Sequence, residues 1–400
     1  MDDLGRLTTN ERLTLARADR DLIGALREAV RLGASDLHVT AGTPPVLRVD
    51  GMLRPIQGMA PWDEERVARA LTTIVTQTQL ERFERKLELD FGFALASGYR
   101  FRVNFYQQRG AMGGAFRLIP THIRSLDELG IPEAVARFAT LPRGLVLVTG
   151  PTGVGKTTTM AALVDLINRT RADHIITVED PIEFLHDHKR SIVNQREVEH
   201  DTHGFASALK HALRQDPDVI FIGELRDLDT ISAALTAAET GHLVFATLHT
   251  QNAAQTIDRI IDVFPTHQQE QVRQQLAGTL QGVLAQTLVK RATGEGRVVA
   301  TEVMVMNAAV ANLIRENKVF QVPSVMQSSR TIGMHTLDQS LADLVNRGVI
   351  TRHTAEQKAH DRELLAGLIR RLETPSQTSA RVIAESDVDY GDAYSARGTR

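Results

Sequence analysis

The sequence predicts an α/β protein of two folded parts: a small N-terminal α+β domain on an antiparallel sheet, then a wound α/β domain that ends in helices. Three observations carry this prediction. The chain has 400 residues, too many for one ordinary hydrophobic core. Between Arg100 and Tyr106 apolar and polar residues alternate as they do in half-buried strands. After Arg143, apolar runs of four to six residues alternate with helical segments, as in strands covered by helices on both faces.

The elements follow in order. Asp21 to Leu32 reads as an amphipathic helix with Leu22, Ile23, Leu26, Ala29 and Val30 on one face and Gly33 as its stop. Asp36–Thr40 and Val46–Val49 read as short strands, and Asp50-Gly51 as a hairpin turn into Met52–Ile56. Polar helical segments span about Asp63 to Lys86. In Arg100–Tyr106, Phe101, Val103 and Phe105 share one face while Arg102 and Asn104 share the other. Gly113–Ile119 is the expected hairpin partner. The later apolar runs are Leu145–Thr149, Ile175–Val178, Val219–Ile222, Leu243–Thr247 and Val298–Val303. A helical pattern then runs from about Ala308 to Leu372. The expected division is a flexible tail over 1–19, an N-terminal domain over 20–121, a linker over 122–142, the α/β domain with its C-terminal helices over 143–372, and a disordered tail over 373–400, rich in Ser, Thr, Asp and Gly.

Lys plus Arg number 46 and Asp plus Glu 49, a net charge of -3. That balance argues against a protein whose main task is to coat nucleic acid. There is no cysteine, which removes disulfides and cysteine-based zinc sites and fits a reducing cytosol. Met1 to Leu13 lacks the apolar core of a signal peptide. No apolar run reaches the roughly 18 residues of a membrane span, so membrane contact is expected only through partners.

The most specific feature is Gly150-Pro151-Thr152-Gly153-Val154-Gly155-Lys156-Thr157, followed by Thr158. It fits the phosphate-binding P-loop pattern at every fixed position and lies between a buried strand and a helix. Glycines let the backbone turn its N–H groups onto phosphates at a helix N-terminus. Lys156 is expected to reach the β- and γ-phosphates of ATP, and the Thr157 hydroxyl to bind Mg²⁺.

Val219–Ile222 leads through Gly223 into Glu224. Glu224 is the candidate to orient and deprotonate the attacking water, and to touch Mg²⁺ through water; the plainer alternative is a strand-end ion pair with Arg226. At the end of another strand, Glu179, Asp180 and Glu183 crowd together before and after Pro181. Glu179 is a candidate for Mg²⁺ or for a water network, and a solvated turn is the alternative. His249 follows the run Leu243–Thr247, where an imidazole could hydrogen-bond the γ-phosphate, although a histidine at a strand end is usually structural. His186, His188, His200, His203 and His211 have no metal-ligand spacing and read as surface or packing residues.

Taken together, GPTGVGKTT, VEDPIEF, VNQREV, DPDVIFIGELRD and AAETGHLVFATLHT resemble, in order and spacing, the secretion and type IV pilus ATPases. GASDLHVTAG and RFRVNFYQQRG resemble the PAS-like N-terminal domain of that family, and the resemblance covers about Asp21 to Leu372. Within the family the chain resembles the pilus retraction branch. It enters the PAS-like domain almost at once, it has no cysteines for a zinc insertion, and Ala309–Glu316 is similar to the motif AIRNLIRE. Val310 and Ala311 depart from that motif, and the second departure removes a charge.

The resemblance implies a RecA-like P-loop ATPase domain, a ring-shaped homohexamer and hydrolysis of ATP with Mg²⁺. It further implies that Arg102 and Arg117, with Arg109 as a third candidate, approach the phosphates from the N-terminal domain. The implied partner is an inner-membrane pilus platform protein, with a second retraction ATPase as a further candidate, and the implied place is the cytoplasmic face of the inner membrane. Three rivals stand beside it. One is an extension, secretion or accessory motor of the same family. A second is a nucleotide-gated scaffold. A third is a nucleic-acid translocase, against which the 4% aromatic content and the net charge count.

Overall fold

The computed structural model describes residues 15–49, 51–119 and 123–369. Asp50 of the expected hairpin turn, residues 1–14 and the expected disordered segment 373–400 lie outside the described residues. The described chain forms two compact units. The first takes in the residues up to Ser125 with Ala139–Leu145 and Thr157–Thr247; the second takes in Leu126–Phe138, Val146–Lys156 and the residues from Leu248 onward.

The first unit opens with helix α1 (Arg20–Arg31), whose N-cap Asp19 accepts from the backbone of Asp21 and Leu22. Asp19 also pairs with Arg66 at 2.8 Å, and Arg66 lies over the Trp62 ring. Leu22, Ala25, Leu26 and Ala29 form the buried stripe. Strands β1 (Asp36–Val39), β2 (Val46–Val49) and β3 (Met52–Pro55), helices α2 (Glu64–Thr72) and α3 (Gln77–Lys86), and strands β4 (Glu88–Ala94), β5 (Arg100–Gln108) and β6 (Ala111–Ile119) follow. The strands make one sheet in the order β3-β2-β1-β6-β5-β4, with every neighbouring pair antiparallel.

The alternation in β5 holds residue by residue: Phe101, Val103 and Phe105 are buried, and Arg102 is exposed. Phe83, Phe91 and Phe116 meet Phe105 edge-on, with ring centroids 5.0 to 6.4 Å apart. Such pairs add about 0.5–1.5 kcal/mol each beyond the area they bury. The sequence pattern does not reveal strand β4, because its Glu88, Asp90 and Gly92 break the apolar run.

The same unit carries β8 (His174–Glu179), β9 (Ile192–Glu197), β10 (Val219–Ile222) and β11 (Leu243–Leu248). They lie parallel, in the order β11-β10-β8-β9. Their central residues, Ile175, Ile176, Val178, Ile220 and Val244 among them, have no exposed surface. The helices between them are α5 (Phe205–Ala212) and α6 (Leu228–Glu239), the latter capped by Asp227. Strand β7 (Gly144–Thr149), buried along its whole length, is where the chain passes into the second unit. It leads to the loop that opens α4 (Lys156–Thr170).

The second unit continues with α7 (Ala253–Asp262), α8 (Gln269–Thr279), β12 (Leu280–Lys290), β13 (Arg297–Val305), α9 (Ala308–Arg315), α10 (Val322–Ser328), α11 (Leu337–Asn346) and a helix over 362–369. The run around Val298–Val303, expected among strands of a wound sheet, is antiparallel to β12 along nine paired residues. Strand β12 was hidden because Gln281, Gly282 and Gln286 interrupt its apolar pattern. In α9, which holds the altered motif, Val310, Ala311 and Ile314 are the buried residues.

Candidate active site

The P-loop is shaped by its glycines. Gly150, Gly153 and Gly155 have φ of 138°, 79° and 91°, values that residues with a Cβ rarely adopt. At Gly150 a Cβ would lie 2.3 Å from the Gln286 carbonyl oxygen, so the loop packs against β12 where only glycine fits. The Gln286 side chain completes the seat, its Nε2 donating to the Val154 carbonyl at 2.9 Å. No motif in the sequence points to Gln286.

Lys156 is only 9% exposed. Its Nζ donates to the carbonyls of Gly150 at 2.7 Å and Pro151 at 3.1 Å. It stands 3.3 Å from His249 Nδ1. The loop thus brings together two of the expected functional groups, 93 residues apart in sequence. A buried ammonium needs such acceptors, and the same position suits an anion delivered to the helix N-terminus.

Strands β8 and β10 place two acidic groups at neighbouring C-terminal ends. The register sets Ile222 beside Val178, and the Gly223 amide donates to the Val178 carbonyl at 2.8 Å. Gly223 is closely approached: a Cβ there would lie 3.4 Å from Glu179 Cα. Thr247 Oγ1 donates to the Gly223 carbonyl. Ligands of open α/β sheets bind outside the carboxyl ends of the strands, which is where Glu179 and Glu224 emerge.

The three carboxylates expected to crowd a strand edge are not equivalent. Asp180 is exposed and Glu183 half-buried, while Glu179 is buried at 4% exposure. Thr177 Oγ1 and Gln195 Nε2 donate to its Oε1 at 2.7 and 3.1 Å. The solvated-turn alternative therefore does not hold for Glu179. Burial pushes its carboxyl up to about 7, against the pull of Thr177 and Gln195.

A carboxyl with a raised folded pKa binds more protons folded than unfolded. Its stabilising contribution is complete below the ordinary value of 4.5 and is lost as pH rises through about 7. In nucleotide-free protein, Glu179→Gln is expected to melt above wild type at pH 8, with the gap closing toward pH 5. A melting difference that is constant across this range would contradict the raised pKa.

Glu224 pairs with Arg226 at 2.8 Å, so the ion pair weighed as the plainer alternative is present. The Glu224 side chain is 19% exposed and that of Arg226 is 65% exposed, so the guanidinium of this pair stands in solvent, which weakens the pairing. Arg102 and Arg117 face each other across β5 and β6, and both are exposed. Arg117 Nε donates to Asp36 at 3.0 Å. Arg109 sits in the hairpin between them with φ of 52°. His186, one of the histidines that read as surface or packing residues, is held well below its ordinary pKa, at about 4, by burial. Among the described residues no group of three or more acidic or histidine side chains forms a metal site alone. Mg²⁺ commonly binds through one or two protein oxygens together with phosphate oxygens, and Thr157 with the strand-end carboxylates fits that donor set.

Residues 14–359 match the family described as Type II/IV secretion system protein. The chain is 50% identical over 339 residues to the type IV pilus retractation ATPase PilT of Pseudomonas aeruginosa, covering 85% of this chain and 98% of that protein. It is 48% identical to a twitching motility protein of Neisseria gonorrhoeae, covering 84% of this chain and 91% of that one. Among solved structures, the pilus retraction motor PilT with bound ADP is similar at a TM-score of 0.81 and 46% identity, covering 86% of this chain and 98% of that chain.

Proposed function

We propose that this chain, which belongs to the Type II/IV secretion system protein family, is an ATP-hydrolysing motor that powers type IV pilus retraction and twitching motility. The observation that carries retraction is the 50% identity to a pilus retraction ATPase over 98% of that protein. The buried Lys156 beside His249 supports the chemistry.

ATP is bound by Gly150, Pro151, Thr152, Gly153, Val154, Gly155, Lys156, Thr157 and Thr158. Lys156 neutralises the β- and γ-phosphates, and His249 senses the γ-phosphate. Glu224 orients and deprotonates the attacking water. Arg102 and Arg117, with Arg109 as a third candidate, supply positive charge to the transferred phosphoryl group. Mg²⁺, held by Thr157 and reached directly or through water by Glu179 and through water by Glu224, would neutralise phosphate charge.

We place the working domains at 20–121, PAS-like, and 143–372, RecA-like with C-terminal helices. The assembly is a homohexamer at the cytoplasmic face of the inner membrane. Hydrolysis drives a rigid-body domain rotation that turns a membrane platform protein; a second retraction ATPase is a further candidate partner. Among the described residues no helix is long and apolar enough to cross a membrane.

The test joins biochemistry and phenotype. The purified chain is expected to hydrolyse Mg·ATP as a ring of six without stimulation by single-stranded DNA, and a strain lacking it to lose twitching. Turnover that depends on single-stranded DNA would move the protein to the translocases.

A further inference from the structure

Glu302 lies in the middle of β13 and is 6% exposed. Burying a carboxylate is costly unless its oxygens are bonded, and here each oxygen has a separate backbone donor. Oε1 accepts from the amide of Ala253 at 2.8 Å, and Oε2 from the amide of Leu337 at 3.3 Å. These are the first residues of α7 and α11. Both helices already have their own side-chain caps: Asn252 accepts from Gln255, and Thr336 from Gln339. Glu302 therefore takes the first amide of each, and its charge suits two converging helix N-termini. Burial pushes its carboxyl up, against the pull of the Ala253 and Leu337 amides and His360, with Asp338 nearby adding to the rise.

One of these helices leads directly from the nucleotide site. His249, beside Lys156, is separated from Ala253 by three residues. That turn is pinned to α7, since the Thr250 and Thr256 hydroxyls lie 2.7 Å apart and Thr256 donates to the Asn252 carbonyl. The other helix is fastened to β13 on both sides of Glu302. The Thr301 hydroxyl is 3.0 Å from His335 Nε2, the Thr301 amide donates to Ser340, and Val303 and His335 exchange backbone hydrogen bonds. Across the ladder, Thr301 is paired with Gln286, whose side chain holds the P-loop at Val154.

We propose that Glu302 is a positioning residue that ties the His249 turn to the C-terminal helices, so that the γ-phosphate sensor and α11 hold a common arrangement. This rests on the ATPase reading above. A carboxylate suits the task because it can accept two amide protons on opposite oxygens. A glutamine offers one acceptor and sets an NH₂ group against the other amide.

The test uses the full-length assembled protein. Glu302→Gln is expected to lower kcat for ATP about tenfold while KM changes less than about twofold. Because the effect passes through the imidazole, combining it with His249→Ala is expected to cost nothing beyond His249→Ala alone. Glu302→Met, similar in volume and uncharged, is expected to show the same signature and covers the case in which the Gln variant fails to fold. Unchanged turnover, or losses that multiply in the double variant, would overturn the proposal. So would a protein that assembles only with Glu302 intact, since that marks a folding role. If wild type itself does not hydrolyse ATP, the ATPase reading fails, a result distinct from failure of this inference.

Discussion

Lys156→Ala is expected to lower ATP hydrolysis by about 10²–10³-fold, the typical cost of removing one preorganised donor from a developing oxyanion. The argument starts from placement. The side chain is nearly buried, and its ammonium is fixed by the Gly150 and Pro151 carbonyls and by His249. A charge so held needs little reorganisation to meet phosphate. Alanine removes the charge and leaves those carbonyls without their donor, so nucleotide affinity falls as well. Phosphate release by the purified variant measures the effect. Hydrolysis at the wild-type rate would sink the assignment of this loop.

Glu224→Gln is expected to lower turnover by about 10²–10⁴-fold, the range for loss of a positioned general base, while ATP binding persists. Two readings of Glu224 separate here. If it serves only its ion pair with Arg226, the Gln variant keeps a hydrogen-bond acceptor, turnover barely changes, and Arg226→Ala does as much harm. If it acts on water, the Gln variant holds ATP without cleaving it and Arg226→Ala is much milder. Single-turnover hydrolysis of bound ATP distinguishes the two.

The parts of the fold legible in the sequence were those whose burial is uniform. Strands β7, β8, β10 and β11 are covered on both faces, so their apolar runs stood out. Strand β5 was legible for the opposite reason, because one of its faces is polar. Strands β4, β9 and β12 were not read. They carry Asp90, Asn194, Gln195 and Gln286 among apolar residues, and the side chains of Asn194, Gln195 and Gln286 meet their partners only once the chain is folded.

The site divides in the same way. A P-loop is set by local backbone geometry, so glycines at fixed spacing reveal it. The close contact of Lys156 with His249, the bond from Gln195 to the buried Glu179, and the pairing of Arg117 with Asp36 join residues far apart in sequence. No spacing rule encodes them. Gln286 and Glu302 are polar residues within strands, and their significance is visible only from the carbonyl and the amides they meet.

The central claim is that hydrolysis at this site withdraws pili. The most direct measurement is the number of surface pili in a strain whose only copy of the gene carries Glu224→Gln, against the same strain with the wild-type gene. Excess pili without twitching is the predicted result. A bald surface would contradict the account, because it would mean that the motor extends pili.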